Sequence, residues 1–342
     1  MPRDIPTEAT LMTIPRLLLW LLLQYLLFAS SPTLAGVGFQ EMEIPDPSRG
    51  TMQILIWYPS TGEPRLQKLA AYEQRIAQSG RIDGGPLPLV VISHGTGGSA
   101  HGHHDTAWAL ADAGFVVVAL THPGDNYADT RHYARREQLT ERPRQVSRVI
   151  DYMLGAWPDR RAVDQGRIGI FGFSMGGFTA LASLGGRPET SGLVAQCKAM
   201  PRKAACLALG SAQDVRRKFG QAALGVVPDP RLKAAFVAAP ALPALFLPDG
   251  LRDLHKPVEL WAAELDELVP LDPDILIVRD GLPVPPARHI EPGAGHYSFL
   301  APCTEAQKDA AHDICADGPG FDRAAFHRRL NAAVVAFFRR NL

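Results

Sequence analysis

Residues 167–184 read RIGIFGFSMGGFTALASL. The first five residues form a short apolar run with the character of a buried strand, and 175–184 have that of a helix. Between them stands Gly172-Phe173-Ser174-Met175-Gly176, a G-x-S-x-G pattern in the strand–turn–helix context that its mechanics demand. A sharp turn lifts the serine hydroxyl above the sheet edge, and small residues on either side let strand and helix approach closely enough to make it. Ser174 is therefore the candidate nucleophile. The competing reading is a glycine-rich turn in which Ser174 only caps the helix.

Outward from this element, strand and helix patterns alternate. Residues 37–44 and 51–58 read as two strands joined by a Pro/Ser/Gly turn, an antiparallel edge. A short helix is expected at 66–78. Residues 87–93 (LPLVVIS) and 115–120 (FVVVAL) are apolar on both faces, as parallel strands covered by helices are. Residues 103–113 form a helix stopped by Gly114, and 142–154 another with Pro143 in its first turn. Further strands are expected at 234–238, 257–262 and 287–290. A last helix at 321–340 places Phe321, Ala325, Leu330, Val334 and Phe337 along one face. This alternation predicts an α/β chain: a mostly parallel central sheet with helices on both faces. Residues 185–230 break the rhythm and read as an insertion, or lid, after the nucleophile helix. A single catalytic domain, 36–342, is the economical division.

A serine hydroxyl needs a base to take its proton. In this architecture the chain order is Ser, then Asp or Glu, then His. His296 follows the last expected strand in the loop Gly293-Ala294-Gly295-His296-Tyr297, where the base belongs. His101, His103 and His104 precede Ser174, His289 lies inside a strand, and His312 and His327 fall in helical stretches. Asp266, just past the 257–262 strand, is the chosen acid, with Glu264 and Glu267 as neighbouring rivals. Two backbone N–H groups must face the oxyanion. Met175, directly after the nucleophile, supplies one. The second falls in His94-Gly95-Thr96-Gly97-Gly98, with Thr96 ahead of Gly95. His94 is expected to shape that loop. His101, His103, His104 and Asp105 read as surface polar groups near the site mouth, with no matching set elsewhere to complete a metal site.

Lys and Arg total 35 and so do Asp and Glu, leaving no net charge to suggest a nucleic-acid partner. Arg16 followed by the apolar run 17–29 and the small-residue exit SSPTLAG has the form of a secretory signal, residues 1–35, cleaved after Ala35. The run is shorter than the roughly 20 apolar residues of a membrane span, and Gln24 interrupts it. No stable span is expected after cleavage, and the mature protein should be periplasmic or secreted. Four cysteines allow three pairings. In an oxidising compartment the local ones, Cys197 with Cys206 and Cys303 with Cys315, are expected, each clipping a surface excursion.

SHGTGG, LTHPGDN (120–126), GFSMGG, the Asp266 loop and GHYSFLAPC running into GFDRAAFH together resemble a bacterial group of α/β-hydrolases: the predicted dienelactone hydrolases, relatives of platelet-activating-factor acetylhydrolase. The resemblance spans most of the mature chain. It implies the α/β-hydrolase fold and a serine esterase working without a cofactor on a small-molecule or lipid ester. Dienelactone hydrolase proper carries cysteine where this chain has Ser174. In the acetylhydrolase the acid follows an earlier strand, whereas here the matching strand end, 236–239, offers no carboxylate. A lipid- or polyester-directed hydrolase of the phospholipase or acetylhydrolase kind is the second reading. A non-catalytic binding module on the same fold is the third.

Overall fold

The computed structural model describes residues 36–47, 50–220 and 222–342. The expected signal segment, 1–35, and its cleavage point lie outside the described residues. Strands β1 (Gly36–Asp46) and β2 (Gly50–Ser60) pair antiparallel along their full lengths. They are not the edge. Outside them lies a hairpin, β3 (Arg65–Leu69) and β4 (Tyr72–Gln78), where a helix was expected. The reason is a period of two: Tyr72, Gln74 and Ile76 are buried while Glu73 and Arg75 face out. Gln74 fastens the hairpin to the core, accepting from Trp57 Nε1 at 2.8 Å and donating to the His104 carbonyl at 2.9 Å.

The centre of the sheet is built from β5 (Leu87–Ser93), α1 (His104–Asp112), β6 (Val116–Leu120), α2 (Arg136–Gly155), β7 (Val163–Phe173) and α3 (Met175–Leu184). Three short helices follow: α4 (Thr190–Ala199), α5 (Ala204–Leu209) and α6 (Ala212–Phe219). Then come β8 (Leu232–Ala238), β9 (Val258–Ala263), α7 (Leu276–Gly281) and β10 (Arg288–Glu291). The chain closes with α8 (Glu305–Ala310), α9 (His312–Cys315) and α10 (Arg323–Asn341). The strands form one ten-stranded sheet in the order β10-β9-β8-β7-β5-β6-β2-β1-β4-β3, parallel from β10 through β6. Residues 185–230, expected as an insertion, carry α4 to α6.

Alternate residues of the central strands feed two cores. Leu89, Val91, Ile168 and Ile170 pack with Val146, Val149 and Phe178 on the α2/α3 side. Val90, Ile92, Val117 and Phe171 pack with Leu110, Leu330 and Phe337 on the α1/α10 side. Helix α10 starts at Arg323 rather than 321, so Phe321 precedes it; in its first turns Arg323, Phe326 and His327 are buried and Ala325 is half-buried. Helix α2 starts six residues before the expected 142, so Pro143 lies inside it. A proline there forfeits one helical bond. Burial of Gln138, Leu139 and Arg142 in the turns around it offsets that loss. From β5 the chain steps to β6 on one side and then back to β7 on the other, so the crevice between the C-terminal ends of β5 and β7 is where such sheets bind ligands.

Both disulfides form locally, Cys197–Cys206 and Cys303–Cys315. Each closes a short loop and should contribute about 2–4 kcal/mol through the unfolded state. Thiol reduction is therefore expected to lower the melting temperature by on the order of 10 °C. An unchanged midpoint in differential scanning fluorimetry would count against both bridges.

Candidate active site

Ser174 sits between β7 and α3 at φ 54°, ψ −118°. Positive φ is rare for a residue with a side chain and stores about 1–3 kcal/mol of strain. The surrounding backbone holds it there: Ser174 N–H donates to the Ala238 carbonyl at 2.9 Å, and its own carbonyl accepts from Gly177 (2.8 Å) and Ala241 (2.9 Å). The flanking glycines are sterically required. A Cβ at Gly176 would lie 1.9 Å from the Ser93 carbonyl oxygen, and one at Gly172 would lie 2.1 Å from the Gly176 carbonyl oxygen. The Ser174 side chain makes no cap bond to α3. Its hydroxyl instead faces His296 Nε2 at 3.0 Å.

His296 lies in the turn after β10, its ring against Phe173. Its Nδ1 is 2.7 Å from Asp266 Oδ2. The other Asp266 oxygen accepts from the N–H groups of Leu268 (2.9 Å) and Val269 (2.8 Å), which fixes the carboxylate plane. With Nδ1–H donating to the carboxylate, Nε2 is left to accept from the serine. The rivals turn elsewhere: Glu264 accepts from Gly293 N–H at 2.8 Å, and Glu267 lines an outer cavity. The three chosen side chains thus form one line of hydrogen bonds, buried except at the serine end.

The loop after β5 brings Gly95 and Thr96 alongside Ser174 and Met175 on one cavity. Gly95 is so close that a Cβ there would meet the Ser174 Cβ at 3.2 Å. What holds this loop is a buried polar cluster. Arg142 and Asp125, each 1% exposed, pair at 2.7 Å. Arg142 also donates to the His94 carbonyl and, at 3.0 Å, to Thr179 Oγ1. Asp125 accepts from Gly97 N–H and from Gln138, whose amide also reaches Thr96 Oγ1 at 3.1 Å. His122 N–H donates to His94 Nε2 at 3.0 Å, so the His94 proton is on Nδ1, donating to the Gly95 carbonyl. His94 shapes the loop, as expected. His122 and Asp125 belong to the LTHPGDN stretch; Arg142 was visible only as a helix residue.

The His296 loop has its own support. His327 on α10 bridges Asp105 Oδ2 (2.6 Å) and the Ser298 carbonyl (2.9 Å). Ser298 Oγ donates to Asp317, which Arg323 grips through two nitrogens. Of the histidines expected at the surface, His101 and His104 are half-buried, and His103, at 1% exposure, is not a surface group: it is wedged against the rings of Phe171 and Phe173. No group of three or more ligating side chains suited to a metal occurs among the described residues.

Burial pushes the pKa of His103 down to about 3, and burial together with the nearby Arg142 does the same to His94. Both are neutral when folded. An unfolded histidine titrates near 6.5, so between about pH 6.5 and 3 the unfolded chain binds more protons and stability falls as pH falls. Each group contributes up to about 1.4 kcal/mol per pH unit in that window. Urea midpoints are expected to drop steadily from pH 6.5 to 4.5. A flat profile would mean that these rings are charged in the folded protein.

Ser174, Met175, Thr96 and His296 open on a cavity of about 410 Å³. Ala205, Ala208 and Leu209 of α5 wall it on one side, Leu242 and Val269 on others. A ferulic acid esterase from Streptomyces cinnamoneus superposes with a TM-score of 0.58, covering 92% of each chain at 19% identity. The family described as serine aminopeptidase, S33, matches residues 84–239, from just before β5 to the end of β8. The fold is that of the α/β-hydrolases. The matched segment holds the loop after β5, the turn at Ser174 and α4 to α6, while Asp266 and His296 lie beyond it. No curated protein sequence matches the chain.

Proposed function

We propose that this α/β-hydrolase is an exported serine esterase that cleaves small carboxylic esters through an acyl-enzyme on Ser174. The observation that carries the reading is the line Ser174–His296–Asp266, with spacings of 3.0 and 2.7 Å, opening on a ligand-sized cavity. His296 Nε2 takes the Ser174 proton as Oγ attacks the ester carbonyl, and Asp266 stabilises the imidazolium. The oxyanion receives the N–H groups of Met175 and Thr96. The tetrahedral intermediate collapses, His296 protonates the departing alkoxide, and the acyl group stays on Oγ. Water, deprotonated by His296, then repeats the sequence and releases the acid.

Likeness to a ferulic acid esterase supports an ester substrate. An aminopeptidase would need a free carboxylate in the cavity for the substrate amine. Among the described lining residues the carboxylate is Asp274, already paired with Lys203 at 2.6 Å. A cavity of 410 Å³, walled by α5, suits a small ester better than the open apolar trough that a lipid or polyester chain requires. In its motifs the chain also resembles the predicted dienelactone hydrolase group, with Ser174 where dienelactone hydrolase proper has cysteine. Two disulfides support export. Among the described residues no helix is long and apolar enough to cross a membrane.

The test is hydrolysis of p-nitrophenyl esters of increasing acyl length by residues 36–342, alongside fluorophosphonate labelling. Turnover that falls beyond short acyl chains, with one label per chain on Ser174, is the expected result. No turnover and no label would move the assignment to a binding module.

A further inference from the structure

The disulfide between Cys197 and Cys206 closes a loop that holds Lys203 at the start of α5. Facing it is Asp274, on the segment between the Asp266 loop and α7. Lys203 Nζ lies 2.6 Å from Asp274 Oδ2, with the side chains 5% and 3% exposed. Gln196, one residue before the disulfide, donates to Asp274 Oδ1 at 3.4 Å. Asp274 and Gln196 line the catalytic cavity. Lys203 lines a separate outer cavity of about 500 Å³, together with Met200 and Glu267. The ion pair is thus the partition between the two spaces.

As a structural device this pair is a poor one. Buried pairs are commonly no more stabilising than apolar side chains of the same volume. This one is also under-served: the Lys203 ammonium has three N–H donors, is fully buried, and makes no hydrogen bond of good geometry. Burial raises the Asp274 pKa, and nearby Asp266 pushes it the same way against the pull of Lys203. The neighbouring walls are apolar, formed by Ala205, Ala208, Leu209 and Val269. A ligand group in the catalytic cavity meets Asp274 and Gln196, so it must give a hydrogen to the carboxylate and take one from the second N–H of the Gln196 amide. A carboxylate on the ligand would be repelled by Asp274 and a cation by Lys203. A neutral hydroxyl does both.

We propose that Asp274 and Gln196, with Lys203 backing Asp274 from the outer side, form a recognition subsite for a hydroxyl group, making the preferred substrates esters with a hydroxyl at the far end of one arm. This deepens the serine-esterase reading and rests on it. The subsite sets specificity; the reacting atoms stay with Ser174 and His296.

The experiment uses two matched ester pairs in a pH-stat: methyl 6-hydroxyhexanoate with methyl hexanoate, and 4-hydroxybutyl acetate with butyl acetate. In one pair the wild type is expected to favour the hydroxylated ester by at least about tenfold in kcat/KM. In the double variant Lys203→Met/Asp274→Leu the ratio within that pair should collapse to near one. The ratio cancels any general loss of activity, so a merely structural latch would lower both esters together and leave it intact. Equal kcat/KM within both pairs for the wild type, or a preference that survives the double variant, overturns the subsite. Absence of turnover on all four esters would instead overturn the esterase reading itself.

Discussion

Ser174→Ala is expected to lower kcat for any ester substrate by on the order of a million-fold, leaving only the residual rate supplied by binding and the oxyanion donors. The size follows from coupling. His296 is useful as a base only because a hydroxyl stands 3.0 Å from its Nε2, and that hydroxyl is a nucleophile only because the base is there. His296→Ala should therefore cost about as much, and the double variant should lose little more than either single one. Asp266→Asn should cost less, because the ring keeps its place against Phe173 while losing the preferred tautomer. Alanine at 174 makes no new contact and removes no cap bond, so the variant's melting temperature should stay close to the wild type's. Comparable turnover by wild type and Ser174→Ala would exclude the acyl-enzyme mechanism.

Arg142→Met is expected to destabilise the fold by about 3–5 kcal/mol, the usual cost of stranding one member of a buried ion pair. Asp125 would keep its charge at 1% exposure with Gln138 and the Gly97 N–H as its remaining donors. Burial pushes the Asp125 pKa up, and Arg142 is the largest influence holding it down. The same substitution frees the His94 carbonyl and with it the loop that carries Thr96. Activity should fall through kcat more than KM, since an oxyanion donor acts on the transition state. Pairing Arg142→Met with Asp125→Leu should recover part of the stability but not the rate. Urea midpoints and initial rates measure the two effects separately, and an Arg142→Met protein with the wild-type midpoint would refute the account.

The parts of the site that were legible in the sequence share one property: their geometry is local. The turn at Ser174 needs glycine at 172 and 176 because the Ser93 carbonyl and the α3 backbone crowd those two positions. A pattern of five residues carries that requirement. The Ser, Asp, His order is legible for a related reason. Each residue sits just past the C-terminal end of a parallel strand, and strand periodicity marks those ends. Cysteine pairing was readable because both bridges span short separations, 9 and 12 residues.

Other features were hidden because they depend on contacts between distant segments. Residues 66–78 contain enough helix-formers to read as a helix. The partner that makes them a hairpin, Trp57 bonding Gln74, is supplied by β2. The start of α2 was missed because the residues ahead of Pro143 are held by Asp125 and Thr96, well outside any window around them.

By itself, then, the sequence determined the parallel sheet, the strained serine turn, the position of the Asp266 and His296 loops and the local disulfides, since backbone sterics and hydrophobic period act within a few residues. Tertiary structure alone decided which carboxylate meets His296, how Arg142 braces the loop after β5, and that Lys203 stands behind Asp274 at the cavity wall. Those outcomes turn on burial. At Arg142–Asp125 and Lys203–Asp274 the packed core leaves the charges no water to face, so each meets its partner, at 2.7 and 2.6 Å.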